Sequence, residues 1–239
     1  MKKGLLTVLW VVFITLLLLG VPRLAAMVAN LFEYGAIDPD GSWAWISVRH
    51  IVQALIVLVL IFVIKQFKPL QFGFSWGDKA AGKKHVLLFI LFFTLYTAGA
   101  YATTILTNSF QHFQFPLTGG NIGGYLGFQL LLSGPSEELI FRAFAMTMLG
   151  LMVSGGLFKG KLSYANIIAA VIFGLAHMRF TFAPFEVTYI PFQVIFAFVL
   201  GLFYGICYEK TGSMYYPMIM HSYGNVLMVG LTVIFSFIL

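Results

Sequence analysis

Three short stretches put ionisable or amide side chains inside apolar surroundings: Glu137-Glu138-x-x-x-Arg142, Phe173-x-x-x-His177 and His221-x-x-x-Asn225. A charge at the centre of a membrane helix costs roughly 2.5–3.5 kcal/mol or more, so such residues face a protein-lined or watery cavity and serve a function there. A glutamate and a histidine can share a water, take its proton and aim it at a carbonyl carbon. An imidazole N–H and an amide four residues apart lie on one helix face and can both donate to the oxyanion that results.

Helical geometry divides the labour. Adjacent residues differ by about 100° in direction, so Glu137 and Glu138 point to different places. Glu138 and Arg142 share a face and suit an ion pair, which leaves Glu137 to turn toward a cavity. Phe173 lies on the same face as His177 and would wall off its imidazole. The bland alternative for each motif is a buried hydrogen bond that fixes helix packing. The conjunction on three helices outweighs it and gives Glu137, His177, His221 and Asn225 as candidate catalytic residues, with Glu138, Arg142 and Phe173 in support. His50, His85 and His112 read as interfacial or structural.

No Gly-x-Ser-x-Gly elbow or His-Glu-x-x-His zinc motif is present. Glu137, His177 and His221 nonetheless offer the oxygen-nitrogen-nitrogen set of a catalytic zinc. Metal-free water activation, with no cofactor required, is the favoured reading; zinc is the alternative.

The elements that must position these residues are membrane helices. The chain has 239 residues, 60% hydrophobic and only 9% charged, with a mean hydropathy of +0.95. Soluble domains carry about 25% charged residues. Apolar runs near the roughly 20 residues needed to cross a bilayer recur throughout. The expected fold is an all-α polytopic transmembrane bundle of about seven to eight helices, forming one membrane domain over 1–239. Residues 1–120 supply N-terminal spans, and 121–239 form the motif-bearing core with the active-site cavity between its helices.

Expected spans are Gly4 to Val21, ended by Pro22; Trp43 to Ile64; Val86 to Leu106; a long segment from Asn121 to Ser154; Ser163 to Met178; Val187 to Tyr208; and Met214 to Phe237. The fourth is too long for an upright span and must tilt, kink at Pro135 or divide there. Lys65 to Lys84 is expected to lie along the membrane surface.

The net charge of +6 does not indicate nucleic acid, because the basic residues sit at the ends of apolar runs. With seven spans, Lys2, Lys3, Lys65, Lys68, Lys79, Lys83, Lys84, Lys159, Lys161 and Lys210 fall on one side, and Arg23 and Arg179 on the other. The positive-inside rule then makes the N-terminus cytoplasmic. Small residues at a signal-peptidase site are poorly placed around Ala25 to Ala29, so the first span is read as uncleaved. Cys207 is the sole cysteine, so no intrachain disulfide forms.

The ordered motif set resembles the CAAX protease and bacteriocin-processing (CPBP, or Abi) family of intramembrane proteases. Its pattern of Glu-Glu-x-x-x-Arg, Phe-x-x-x-His and His-x-x-x-Asn or Asp is complete here, between Glu137 and Asn225. The resemblance implies a helical membrane fold with an intramembrane site. Glu137 and His177 would activate water, His221 and Asn225 would bind the oxyanion, and Glu138 and Arg142 would support them. It implies hydrolysis of membrane-associated peptides or proteins, with peptide or bacteriocin maturation or self-immunity as possible settings, in a bacterial plasma membrane. The expected partners are that substrate and the lipid bilayer.

Two other functions compete. One is a non-catalytic scaffold or immunity protein that binds a peptide or regulates a membrane sensor. The other is a transporter with a buried proton relay, for which inverted repeats would be expected; the polar motifs are instead confined to the C-terminal half.

Overall fold

A computed structural model describes residues 2–239; nothing is said of the side chains of Lys2, Lys3 and Phe182. Seven helical runs alternate in direction. They are α1 (Lys2–Ala29), α2 (Ala44–Phe67), α3 (Lys79–Leu106), α4 (residues 119–150), α5 (Tyr164–Ala176), α6 (Pro191–Thr211) and α7 (Tyr215–Ile238). Two antiparallel hairpins flank α5: β1 (Gly156–Leu157) with β2 (Leu162–Ser163), and β3 (Arg179–Phe182) with β4 (Phe185–Thr188).

Five of the helices, α1, α2, α3, α6 and α7, are long and apolar enough to cross a membrane. The seven helical runs agree with the expected seven to eight; α4, interrupted by its π-helical stretches, and the short α5 are not among these five. At 13 residues, α5 is about 20 Å long, short of a bilayer of about 30 Å. It is covered by its neighbours: Ala165, Asn166, Ala169, Ala170, Ile172 and Phe173 are buried.

Alternation places the lysine-bearing ends together. Trp10 Nε1 donates to the carbonyl of Met148 at 2.8 Å. The loop before α3 meets the end of α6, where Asp78 N–H donates to Thr211 at 2.9 Å, and Met214 N–H donates to Gly73 at 3.1 Å. At the opposite end Arg23 Nη2 reaches the carbonyl of Phe180 at 3.4 Å. The expected separation of the lysines from Arg23 and Arg179 therefore matches the helix directions.

Pro22 departs from expectation, and Pro135 takes one of the courses left open for it. Pro22 does not end the first helix, which continues to Ala29. Its missing N–H frees one carbonyl a turn earlier, a loss that membrane helices tolerate through local adjustment. Likewise Pro135 does not divide α4. The chain enters it through a π-helical stretch, Gln129–Ser133, and leaves the short α-helical turn Gly134–Glu138 through another, Leu139–Met146. Such i→i+5 turns widen the helix and relieve the lost proline bond; they recur at functional sites. Lys65 to Lys84 is also not one surface segment: Lys65 belongs to α2, and α3 begins at Lys79.

Two glycines permit close approach at the site. A Cβ on Gly134 would come within 2.8 Å of Ser222 Oγ and 2.9 Å of Ser222 N, so α7 rests directly against α4 at its π turn. Similarly, a Cβ on Gly205 of α6 would run into the amide of Asn166 on α5, whose Nδ2 donates to the Leu202 carbonyl at 3.2 Å. Small residues at helix crossings are the usual route to tight packing in lipid.

The entry to α2 is held by Asp38. Its Oδ1 accepts from Ser42 N–H at 2.8 Å, and its Oδ2 accepts from the N–H groups of Trp43 and Ala44 at 2.7 Å each. Burial pushes this carboxyl up, but the three backbone donors and the Ser42 hydroxyl together outweigh it and hold its pKa below 3.8. A depressed carboxylate contributes stability above its unfolded value that is lost as pH falls through its folded value. Acid titration of thermal stability should thus show a loss below pH 3.8 that Asp38→Asn makes shallower. Gly205→Ala should cost about 1–3 kcal/mol by overpacking, read as a lower unfolding temperature in detergent.

Candidate active site

The turn of α4 between the π stretches carries Glu137 and Glu138, and α7 brings His221 against both. Glu138 is fully buried. Its Oε2 pairs with Arg142 Nε at 3.0 Å, and its Oε1 lies 2.7 Å from His221 Nδ1. Glu137 approaches the same imidazole from its other edge, Oε2 lying 3.8 Å from His221 Nε2. The expectation that the two carboxylates serve separate places is therefore corrected in part. Their directions do differ, yet an imidazole offers a nitrogen on each of two edges, and α7 sets it between them.

Arg142 is held by more than its carboxylate partner. Its guanidinium lies over the rings of Phe173 at 4.8 Å and Tyr204 at 5.3 Å, and its Nη2 donates to the Gly201 carbonyl at 3.2 Å. An ionised partner makes Glu138 an acceptor only. His221 Nδ1 must then carry the proton it shares with Glu138, which fixes the ring's tautomer and leaves Nε2 toward Glu137. Tyr204 stacks on the His221 ring, centroids 5.2 Å apart.

His177, at the end of α5, donates from Nδ1 to the Phe173 carbonyl at 2.8 Å. Its Nε2 is thereby the free nitrogen. Phe173 meets its ring edge-on, at 4.8 Å between centroids, as the four-residue spacing led us to expect. Glu137 and His177 line one cavity of about 320 Å³ together with Phe173, Phe141 and Ser133. Asn225 sits one turn beyond His221, its Nδ2 donating to Ser133 Oγ at 3.1 Å. The structure thus brings Glu137, Glu138, Arg142, Phe173, His177 and His221 together, with Asn225 joined to the cavity wall through Ser133.

The opposite wall comes from α2. Arg49, His50 and Gln53 line the same cavity. His50 Nδ1 lies 2.8 Å from Ser136 Oγ and 3.0 Å from Gln53 Nε2, and His50 lies within electrostatic reach of Glu137. His50 is therefore a buried residue of the site rather than an interfacial one. The signal was present: Ser47, His50 and Gln53 recur every third residue on the buried face that Val57 and Ile61 continue. Tyr204 gave none, being one aromatic among many in an apolar run. As expected, His85 has a local role, its Nδ1 donating to the Ala81 carbonyl at 2.8 Å, and His112 packs edge-on against Phe110.

Residues 121–227 match the family model described as type II CAAX prenyl endopeptidase Rce1-like. The motif-bearing half of the chain is Rce1-like. All three motifs lie inside the match. Comparison with curated proteins and with solved structures gives no match. Residues 121–227 are thus similar to a CAAX prenyl endopeptidase family, and the chain that carries them has five apolar helices of membrane-spanning length.

Among the described residues no three His, Cys, Asp or Glu side chains converge as ligands. Glu137 Oε2 and His221 Nε2 approach each other directly, while Glu138 holds the second imidazole nitrogen.

Removing one partner of a buried ion pair leaves the other charge stranded, at about 3–5 kcal/mol. Arg142→Met should destabilise by that amount, whereas Glu137→Gln, at the cavity surface, should leave the unfolding temperature near that of the unaltered protein.

Proposed function

We propose that the protein is an intramembrane endopeptidase that hydrolyses peptide bonds of membrane-associated peptides or proteins. The observation that carries this reading is the shared cavity of Glu137 and His177, within a segment that matches the Rce1-like family.

In this mechanism a water sits between the Glu137 carboxylate and His177 Nε2. Glu137 takes one proton as the oxygen attacks the scissile carbonyl carbon, and the proton passes to the departing amine as the C–N bond breaks. His177 orients the water, since its Nδ1 is already engaged by Phe173. The developing oxyanion is met by His221 and Asn225. Glu138 accepts from His221 Nδ1 and so turns Nε2 toward the cavity, where the protonated ring donates from it, a role like that of the carboxylate in a Ser-His-Asp triad. The Asn225 amide has a second N–H beyond the one given to Ser133. His50, from the opposite wall, tunes the charge around Glu137.

No metal has a part in this scheme. Maturation of a peptide or self-immunity to a bacteriocin is the setting we favour, on the resemblance of the motifs.

The test compares peptides released from membranes of cells with the protein, without it, and with Glu137→Gln or His177→Ala. Peptides that appear with the unaltered protein should fall by about 10²–10⁴ in either variant, and a zinc chelator should leave them unchanged. Normal processing by both variants would exclude the enzymatic reading and favour a peptide-binding scaffold. Chelator sensitivity would return zinc to the site.

A further inference from the structure

A cavity with a charged wall lies beside the catalytic one. Its volume is about 770 Å³, and it is bounded by Arg23 of α1, Trp45 and Arg49 of α2, and Arg179 of β3. The remaining wall is apolar, including Leu16 and Leu19 of α1 and Leu175 of α5. Among the described residues none of those lining it is acidic. Three guanidiniums therefore face one space from three separate elements.

Their depth in the fold is informative. Arg23 lies six residues before the end of α1, and Arg49 five residues after the start of α2. At 1.5 Å per residue both are about 7–9 Å inside the helix ends. Trp45 stands nearer the end of α2, where an aromatic ring suits the headgroup level. Arg23 lies over the Phe180 ring at 5.9 Å, and Arg49 over the Trp45 ring at 5.8 Å, so two of the cations are held in place. The Nε of Arg49 is buried with no hydrogen-bond partner. A buried donor left unmet is unfavourable unless something completes it.

We infer that this cavity binds the phosphate of an anionic phospholipid, with the headgroup among Arg23, Arg49 and Arg179 and an acyl chain along the apolar face of α1. A planar guanidinium suits a phosphate because two of its N–H groups can donate in parallel. The apolar wall favours a lipid over a free anion. Leu16, which lines the cavity, is 66% exposed and so lies open to the hydrocarbon. Pro22, Arg49 and Ala176 line both cavities, so the lipid would sit against the catalytic wall and complete Arg49, whose Nε has no partner.

The inference stands apart from the proposed peptidase activity, and its test needs no substrate. Purified full-length protein, equilibrated with equal amounts of phosphatidylglycerol and phosphatidylcholine, is analysed by native mass spectrometry. Phosphatidylglycerol should be retained in preference. The preference should fall by about thirtyfold in the Arg23→Gln/Arg179→Gln variant, at about a fivefold loss per arginine, and recover largely in the Arg23→Lys/Arg179→Lys variant. Equal retention of the two lipids by the unaltered protein would overturn the proposal, whatever the variants do. Stripping of the lipid by inorganic phosphate would also overturn it, leaving a plain anion site.

Discussion

The structure depends on one buried carboxylate. Glu138 has no exposure to solvent, so its charge must be neutralised within the protein, and Arg142 on its own helix and His221 on α7 do so together. Neither contact is dispensable, because a stranded charge in a medium of low dielectric costs several kcal/mol. The pairing ties α4 to α7 and fixes which nitrogen of His221 carries a proton. What begins as a requirement of solvation thus becomes a constraint on the reactive residues.

Around that pairing, irregular backbone performs the positioning. The two π-helical stretches of α4 bracket the turn that holds Glu137 and Glu138. Pro135 starts that turn without breaking the run, and Gly134 lets α7 come close enough for its imidazole to sit between the carboxylates. In lipid, each backbone polar group freed by such a distortion must be satisfied within the protein; Ser222 Oγ accordingly donates to the carbonyl of Leu130 at 2.8 Å. The short α5 contributes in a related way. Too brief to cross a membrane, it ends inside the fold, so that His177 opens on the cavity from a helix end.

Much of the outline was legible from the chain. Seven helical runs, the Glu138–Arg142 pair and the Phe173–His177 pair follow from hydropathy and from spacings of four, since both depend only on neighbours along one helix. One run is shorter than hydropathy suggests: α5 is apolar enough to pass as a span, but it has only 13 residues and is covered by its neighbours. Pro22 was read as a helix end because that is its local tendency, and tertiary packing overrode it; at Pro135, where a tilt, a kink or a division was open, the run continues. Of the two roles open to His50, interfacial or structural, burial selects the second, and Ser47, His50 and Gln53 form a polar stripe whose period marks a buried face.

The sequence by itself determined that this is a helical membrane protein with three sets of polar residues that lipid could not tolerate, and that these sets match a family of intramembrane proteases. Composition and local spacing suffice for that, because the cost of burying charge does not depend on the details of the fold. Only the tertiary structure decided that Glu137 and Glu138 address one imidazole from two edges, that α2 closes the cavity with Arg49, His50 and Gln53, and that Tyr204 stacks on His221. Those facts are set by how separate helices approach one another, a distance that no spacing along a single helix encodes.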